Sequence, residues 1–229
     1  MIERNVKANI LKKYNVRESD FLGKGQEAEV YSYDNGRVLK LYKPTAYPKL
    51  VILKRFYESM SPNELISFEL PKIQEIINEK NAVLTIENKI HGKNIQKDLS
   101  HYDDDQLEAF FDQYLSTILS IQTIKLNAEI NGYKLLKDYE MTSVDWNDFL
   151  KQSLLKKNGE IKEFLKRDVK NYEAKLDRLI SALSNEYKGE YALIHGDFYP
   201  SNLLVKEDGQ ISGVIDFGLM TLQGDSLFD

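Results

Sequence analysis

The hydrophobic period of the chain changes near Gly92, and that change limits the folds open to it. Before Gly92 the apolar residues alternate. Ala28-Glu29-Val30-Tyr31-Ser32-Tyr33 and Arg37-Val38-Leu39-Lys40-Leu41-Tyr42 read as two strands joined at Asp34-Asn35-Gly36, where Asn-Gly suits the positive φ angles of a tight hairpin. Asp20-Phe21-Leu22-Gly23 reads as a strand end before them, and further strands are expected near 73–77 and 82–87. After Gly92 the period becomes helical. Residues 107–124 carry Leu107, Phe110, Phe111, Tyr114, Leu115, Ile118, Leu119 and Ile121 on one broad face. Residues 161–183 repeat the pattern through Phe164, Leu165, Val169, Tyr172, Leu176, Leu179, Ile180 and Leu183, which predicts a helix over that whole stretch. Helices are also expected at 3–14 and 50–60, and short strands at 191–194, 202–205 and 214–217. The pattern predicts an α+β chain: an N-terminal antiparallel β-sheet with one main helix, then a mainly helical part with short β-hairpins, with a hinge over 85–93.

Composition removes several function classes. The chain of 229 residues has 31 basic and 36 acidic residues, a net charge of −5, the wrong sign for a general nucleic-acid binder. It has no cysteine, which excludes disulfide scaffolds, zinc–thiolate centres and cysteine nucleophiles together. No apolar run approaches the roughly 18 residues that cross a bilayer. The start, Met1-Ile2-Glu3-Arg4-Asn5-Val6-Lys7, lacks the apolar core of a signal peptide. A cytoplasmic enzyme or binding protein, with no nucleic-acid or membrane partner, is expected.

The chemistry concentrates late in the chain, in His195-Gly196-Asp197-Phe198-Tyr199-Pro200-Ser201-Asn202 and in Ile215-Asp216-Phe217-Gly218. A strand leads into a loop holding Asp197, and the chain re-enters a strand at Asn202. A hairpin turning at Glu207-Asp208-Gly209 then returns Asp216 beside Asn202. Two carboxylates and a carboxamide gather at one spot. Taken singly, each half leaves room for ordinary turn capping as the lesser reading; together they make a site. Oxygen ligands without His or Cys suit Mg²⁺, which takes one or two protein ligands and leaves the rest to water and phosphate oxygens. Asn202 and Asp216 fit that task, which frees Asp197 to accept a proton from an attacking hydroxyl. Phosphoryl transfer needs little beyond positioning and charge neutralisation.

The N-terminal part supplies an independent pattern, Gly23-Lys24-Gly25-Gln26-Glu27-Ala28-Glu29-Val30 between two strands. Gly23 and Gly25 would let backbone N–H groups approach phosphate oxygens. Lys40, between Leu39 and Leu41, faces opposite to both by alternation, and a lysine pointing into a cleft calls for an anion. Glu58 is the only acidic residue between Lys40 and Ser61, and so the residue expected to orient it.

These residues resemble the aminoglycoside phosphotransferase and choline kinase family, within the protein-kinase-like fold, over about 21–229. His195-Gly196-Asp197 with Asn202 resembles the family's catalytic loop, and Ile215-Asp216-Phe217-Gly218 its metal-binding segment. Gly224-Asp225 through Asp229 resembles the acidic stretch that follows, and Leu84-Thr85-Ile86-Glu87 before Ile90-His91-Gly92 the strand and hinge between two lobes. The resemblance implies a bilobal chain, with a nucleotide-binding lobe at 1–87 and a catalytic, acceptor-binding lobe at 88–229. It implies Asp197 as catalytic base, Asn202 and Asp216 as Mg²⁺ ligands, Lys40 as the α/β-phosphate contact, and backbone near Glu87 as the contact to the nucleotide base. ATP is the implied donor, with GTP accepted by some relatives, and the acceptor is a hydroxyl of a small molecule, an antibiotic or a metabolite. Acidic residues of the insert at 144–183 (Asp145, Asp148, Glu160, Glu163) could receive a cationic amine, and Trp146 could stack on a sugar or cover a quaternary ammonium, but charged residues on helices more often face water, and that is the stronger reading here. Relatives continue with further helices beyond the position of Asp229, so those helices are expected to be absent here and the acceptor pocket truncated or built differently. The alternative in a different functional class is a catalytically inactive nucleotide-binding regulatory module of the same fold.

Overall fold

The computed structural model describes residues 2–25, 27–97, 99–127, 145–218 and 221–229. Gln26 of the glycine loop and Val144, the first residue of the expected insert, lie outside the described residues. Helix α1 (Arg4–Lys13) leads into strands β1 (Phe21–Lys24), β2 (Ala28–Asp34) and β3 (Arg37–Tyr42), then helix α2 (Tyr47–Ser59) and the short strand β4 (Met60–Ser61). Strands β5 (Ile73–Glu79), β6 (Ala82–Asn88) and β7 (Lys93–Asn94) follow, then α3 (Asp104–Gln122), β8 (Lys125–Leu126), α4 (Trp146–Asp168) and α5 (Tyr172–Ala182). The chain closes with β9 (Tyr191–Ile194), β10 (Leu203–Val205), β11 (Ile211–Val214) and β12 (Leu222–Asp225).

The first five full strands form one antiparallel sheet in the order β1-β2-β3-β6-β5. Alternation divides its side chains between two faces. Tyr31, Leu39, Leu41, Ala82 and Leu84 point to one face and are covered by Ile10 and Leu11 of α1. The opposite face carries Tyr42 and Val83, which pack with Leu50 of α2. Lys40 and Thr85 are directly paired across β3 and β6, as are Val38 and Glu87, so these polar residues share the α2 side of the sheet. The β2–β3 turn differs from expectation. Neither Asn35 nor Gly36 has a positive φ. Instead the Asp34 carboxylate accepts from the Gly36 N–H at 3.2 Å, and a register shift between Ser32 and Asp34 accommodates the turn.

The later part is built around two small sheets. One is the β10–β11 hairpin extended by β7, the other the antiparallel pair β9–β12. Helix α3 starts at a capping box, with the Asp103 carboxylate accepting from the Gln106 N–H and the Gln106 side chain accepting from the Asp103 N–H. The single helix expected over 161–183 is two helices. Val169 is extended and Asn171 is left-handed, with φ of 56°; the apolar spacing runs on across the break, so period alone hides it. The largest core cluster joins α2 and the sheet to the rest. Phe56, Tyr57 and Ile73 pack with Phe110 and Ile121 of α3 and with Leu193, Leu203, Val205, Val214 and Phe217. Among the described residues no helix is long and apolar enough to cross a membrane.

Candidate active site

Strand β9 delivers the loop at 195–202, and its geometry begins with a buried histidine. His195 is fully buried. Its Nε2 lies 3.0 Å from the Ile215 carbonyl, and its Nδ1 lies 3.3 Å from the Asp197 N–H. A carbonyl only accepts, so the proton sits on Nε2 and Nδ1 accepts from Asp197. One imidazole thus pins the loop carrying Asp197 to the segment carrying Asp216. Gly196 follows at φ +77°, a conformation that favours glycine. The Asp229 carboxylate grips the same loop from below: Oδ2 accepts from the His195 N–H at 2.6 Å and Oδ1 from the Gly196 N–H at 2.7 Å. The Thr221 hydroxyl donates to the His195 carbonyl and accepts from the Gly218 N–H, a second tie between the two segments.

Asp197 is exposed at the loop tip while the flanking Phe198 is buried. Phe198 is held against the Tyr114 ring at 4.7 Å, and the Tyr114 hydroxyl donates to the Phe198 carbonyl. The Asn202 amide Nδ2 donates to the Asp197 carbonyl at 2.8 Å and to its Oδ2 at 3.2 Å. That use of Nδ2 leaves Oδ1 as the end able to meet a cation. Asn202 closes a short 3₁₀ turn (Pro200–Asn202) and is not the first residue of a strand as expected. Likewise Asp216 lies beyond β11 and not inside a strand. The hairpin return is as anticipated. Leu203 pairs with Val214, and the Ile215 N–H donates to the Asn202 carbonyl at 2.9 Å, which sets Asp216 beside Asn202. Asp216 is exposed and left-handed, with φ of 67°, while Phe217 next to it is buried against His195, Phe56 and Tyr57. Among the described residues no three carboxylates or imidazoles gather as a metal cage. One carboxylate and one carboxamide remain, a donor set that fits Mg²⁺ sharing its shell with water and phosphate.

Lys40 is three-quarters buried, and its Nζ meets Glu87 Oε2 at 2.9 Å. Burial by itself lowers the ammonium, but the Glu87 carboxylate, aided by Tyr42 and Tyr57, more than offsets it and holds the group above the ordinary lysine value. Burial pushes the Tyr57 hydroxyl well above the phenol range; Lys40 opposes that, while Glu87, Tyr42 and Asp216 add to it. Tyr57 also meets the Phe217 ring edge-on, with centroids 6.4 Å apart, so α2 touches the segment that carries Asp216. Glu58, expected beside Lys40, is elsewhere: it pairs with Lys54 on the same helix. Glu87, expected to act through its backbone, brings its side chain to Lys40. The inter-strand register carried that signal, because Thr85 opposite Lys40 puts Glu87 on the same face. Gly23 and Gly25 border open space, with nothing within 4 Å of a Cβ added to either.

The acceptor role open to Trp146 in the sequence is closed by its packing. Trp146 is 2% exposed, stacked on Phe149 and edge-on to Phe228, and Gly224 packs so closely that a Cβ there would come within 2.4 Å of the indole. It is a core residue and has no face to offer a sugar or an ammonium. Asp145 caps α4 by accepting from the Asp148 N–H, and Glu160 pairs with Lys157.

The buried imidazole gives a pH signature. Burial lowers the His195 pKa, against the opposing hydrogen bond to Ile215 and the charges of Asp229, Asp216 and Asp197. The folded value then lies below the unfolded one of about 6.5. Below that pH the unfolded chain takes up a proton that the folded chain resists, so stability falls as the pH drops through it. The expected slope is at most about 1.4 kcal/mol per pH unit. Urea midpoints between pH 7.5 and 5.5 measure it, and the slope should flatten in His195→Gln; an unchanged slope would assign it to other groups.

A model of a family described as "Phosphotransferase enzyme family" matches residues 20–229. A search of curated proteins found no match. Solved structures match over nearly the whole chain. One is a thermostable mutant of the aminoglycoside phosphotransferase APH(4)-Ia in ternary complex with ADP and hygromycin B, at 19% identity and a TM-score of 0.65, covering 97% of this chain and 74% of that one. A second is the streptomycin-ATP-APH(2")-IIa ternary complex, at 16% identity and 0.62, covering 99% and 73%. A third is the GDP complex of wild-type aminoglycoside 2'-phosphotransferase-IIIa, at 15% identity and 0.62, covering 97% and 74%. At these identities the likeness establishes the fold, which is the protein-kinase-like α+β arrangement.

Proposed function

This chain belongs to the phosphotransferase enzyme family, and we propose that it transfers the γ-phosphate of ATP to a hydroxyl of a small molecule in a Mg²⁺-dependent reaction. The observation that carries the reading is the tie between the two late segments. His195 and the Ile215–Asn202 bond hold Asp197, Asn202 and Asp216 as one unit, and Phe217, next to Asp216, packs on Phe56 and Tyr57 of α2, the helix that covers the Lys40 face of the sheet.

In this reading Asp197 is the catalytic base. It is exposed to an incoming acceptor and oriented by Asn202, and it takes the hydroxyl proton as the oxygen attacks phosphorus. Asn202 Oδ1 and the Asp216 carboxylate hold Mg²⁺. The ion, when bound, neutralises charge on the transferring phosphoryl oxygens. Lys40, kept charged by its carboxylate partner, contacts the α/β-phosphates, while the loop at Gly23 and Gly25, open at both glycines, covers them; the Gly25 N–H itself is taken by the Ala28 carbonyl at 2.9 Å. Main chain at the end of β6, near Glu87, meets the base. The nucleotide-binding part is residues 1–87 and the acceptor-binding part 88–229. Complexes of the structural neighbours with ATP, ADP and GDP support a nucleotide donor. Those with hygromycin B and streptomycin support a small-molecule acceptor.

The test is transfer of labelled γ-phosphate from MgATP to a panel of hydroxyl-bearing amines, amino alcohols and sugars. A phosphorylated acceptor, absent with Asp197→Ala, is the expected result. Failure of the protein to bind MgATP at all would sink the proposal, whereas Mg²⁺-dependent binding without transfer to any acceptor would favour the inactive regulatory module.

A further inference from the structure

A partly buried lysine that meets phosphate needs a fixed carboxylate beside it, because burial alone favours the neutral amine. Helix α2 does not supply one. Its only acidic side chain, Glu58, is half exposed and paired with Lys54, whose Nζ also donates to the Ile73 carbonyl at 3.1 Å.

We propose that Glu87 is the positioning residue for Lys40, and that it aims the ammonium from within the sheet and not from a helix. The pairs Val38–Glu87 and Lys40–Thr85 are neighbours on one ladder. The carboxylate is satisfied at both oxygens: Oε2 meets Lys40 at 2.9 Å and Oε1 accepts from the Thr85 hydroxyl at 2.6 Å. Thr85 and Glu87 are themselves buried, so neither rotates away at small cost. The charged and titratable groups around the pair are Tyr42 on β3 and Tyr57 on α2.

The placement has a mechanical consequence. An ion pair between a strand and a helix breaks when the helix moves as a body. This one lies between adjacent strands joined by a six-residue ladder, so a displacement of α2 leaves it intact. The phosphate-binding lysine is preset, and its aim does not depend on where α2 sits.

What Lys40 contacts rests on the phosphotransferase reading; the ion pair itself does not. The test therefore has two arms. In the first, trace acylation at pH 8.5 with peptide mass analysis follows the rate at Lys40 without nucleotide. Glu87→Gln is expected to raise that rate at least about tenfold, since a buried amine without its carboxylate loses its proton more easily. Glu58→Gln is the competing variant and should not. In the second arm, Glu87→Gln weakens ATP binding about tenfold or more while adenosine affinity stays within about twofold, because only phosphates need the ammonium. Glu87→Asp keeps the charge but not the reach. It gives near-native acylation with several-fold weaker ATP binding, and it serves if Glu87→Gln does not fold. Unchanged Lys40 acylation in Glu87→Gln, or a rise with Glu58→Gln instead, overturns the positioning role while native ATP binding leaves the phosphotransferase reading standing. Unchanged ATP affinity in Glu87→Asp overturns it too. Absence of ATP binding by the native chain overturns both.

Discussion

Asp197→Asn is expected to lower the rate of phosphate transfer by about a hundredfold to ten-thousandfold, the usual range for removing a general base, while nucleotide affinity stays within about twofold. The substitution is nearly isosteric. The Asn202 amide donates to both the carbonyl and Oδ2 of Asp197, and an asparagine oxygen can accept the second of these bonds as well. Loop shape is set mainly by groups the change does not touch: Asp229 on the His195 and Gly196 amides, and Tyr114 on the Phe198 carbonyl. What disappears is the ability to take a proton. Single-turnover transfer with a responsive acceptor, alongside calorimetric titration with ADP and Mg²⁺, separates the two effects. If transfer survives within threefold, the proton leaves by another route and Asp197 is not the base. If nucleotide affinity falls in step with the rate, Asp197 belongs to the metal shell.

How much of this could be read from the chain alone follows from the range of each constraint. The segments at 195–202 and 215–218 were legible because their requirements are local. Gly196 must reach a positive φ, Asn202 must close a turn, and a short hairpin must return Asp216 beside it. The sheet was legible because alternation marks the strands. Partners across the fold were not. Glu58 is nearer to Lys40 in sequence and sits on the expected helix, but helix phase turns it toward Lys54; Glu87 is forty-seven positions from Lys40 and becomes its neighbour through β3–β6 pairing. A stacking role for Trp146 stays open in the sequence, because nothing local announces that β12 pairs with β9 and brings Gly224 against its ring. Asp229 read only as part of an acidic stretch, and its two hydrogen bonds to the loop at 195–196 span more than thirty residues.

Asp216→Ala and Asp216→Gly should be equally inactive yet unequally stable, and the pair tests the site and its backbone together. Both remove the proposed carboxylate ligand. A catalytic metal supplies several kcal/mol of transition-state stabilisation, so a loss of about a thousandfold or more is expected for either variant at one decade per 1.36 kcal/mol, together with loss of the Mg²⁺ dependence of nucleotide binding. Stability divides them because Asp216 sits at φ of 67°. An L-residue there carries about 1–2 kcal/mol of strain, which alanine retains without the polar side chain that makes aspartate tolerable in that region. Glycine escapes the strain but gives back about 0.5–1 kcal/mol through the greater freedom of its unfolded chain. The balance leaves Asp216→Gly more stable than Asp216→Ala by about 1 kcal/mol, a difference of about 2–4 °C in Tm for a chain of this length. Phe217, buried between His195 and Tyr57, anchors the segment in both variants, so the contrast reports position 216 and not a collapse of its surroundings. Residual Mg²⁺-dependent transfer in the glycine variant would remove Asp216 from the metal site. A glycine variant melting below the alanine one would mean that the left-handed backbone at 216 is not the resting conformation of the chain.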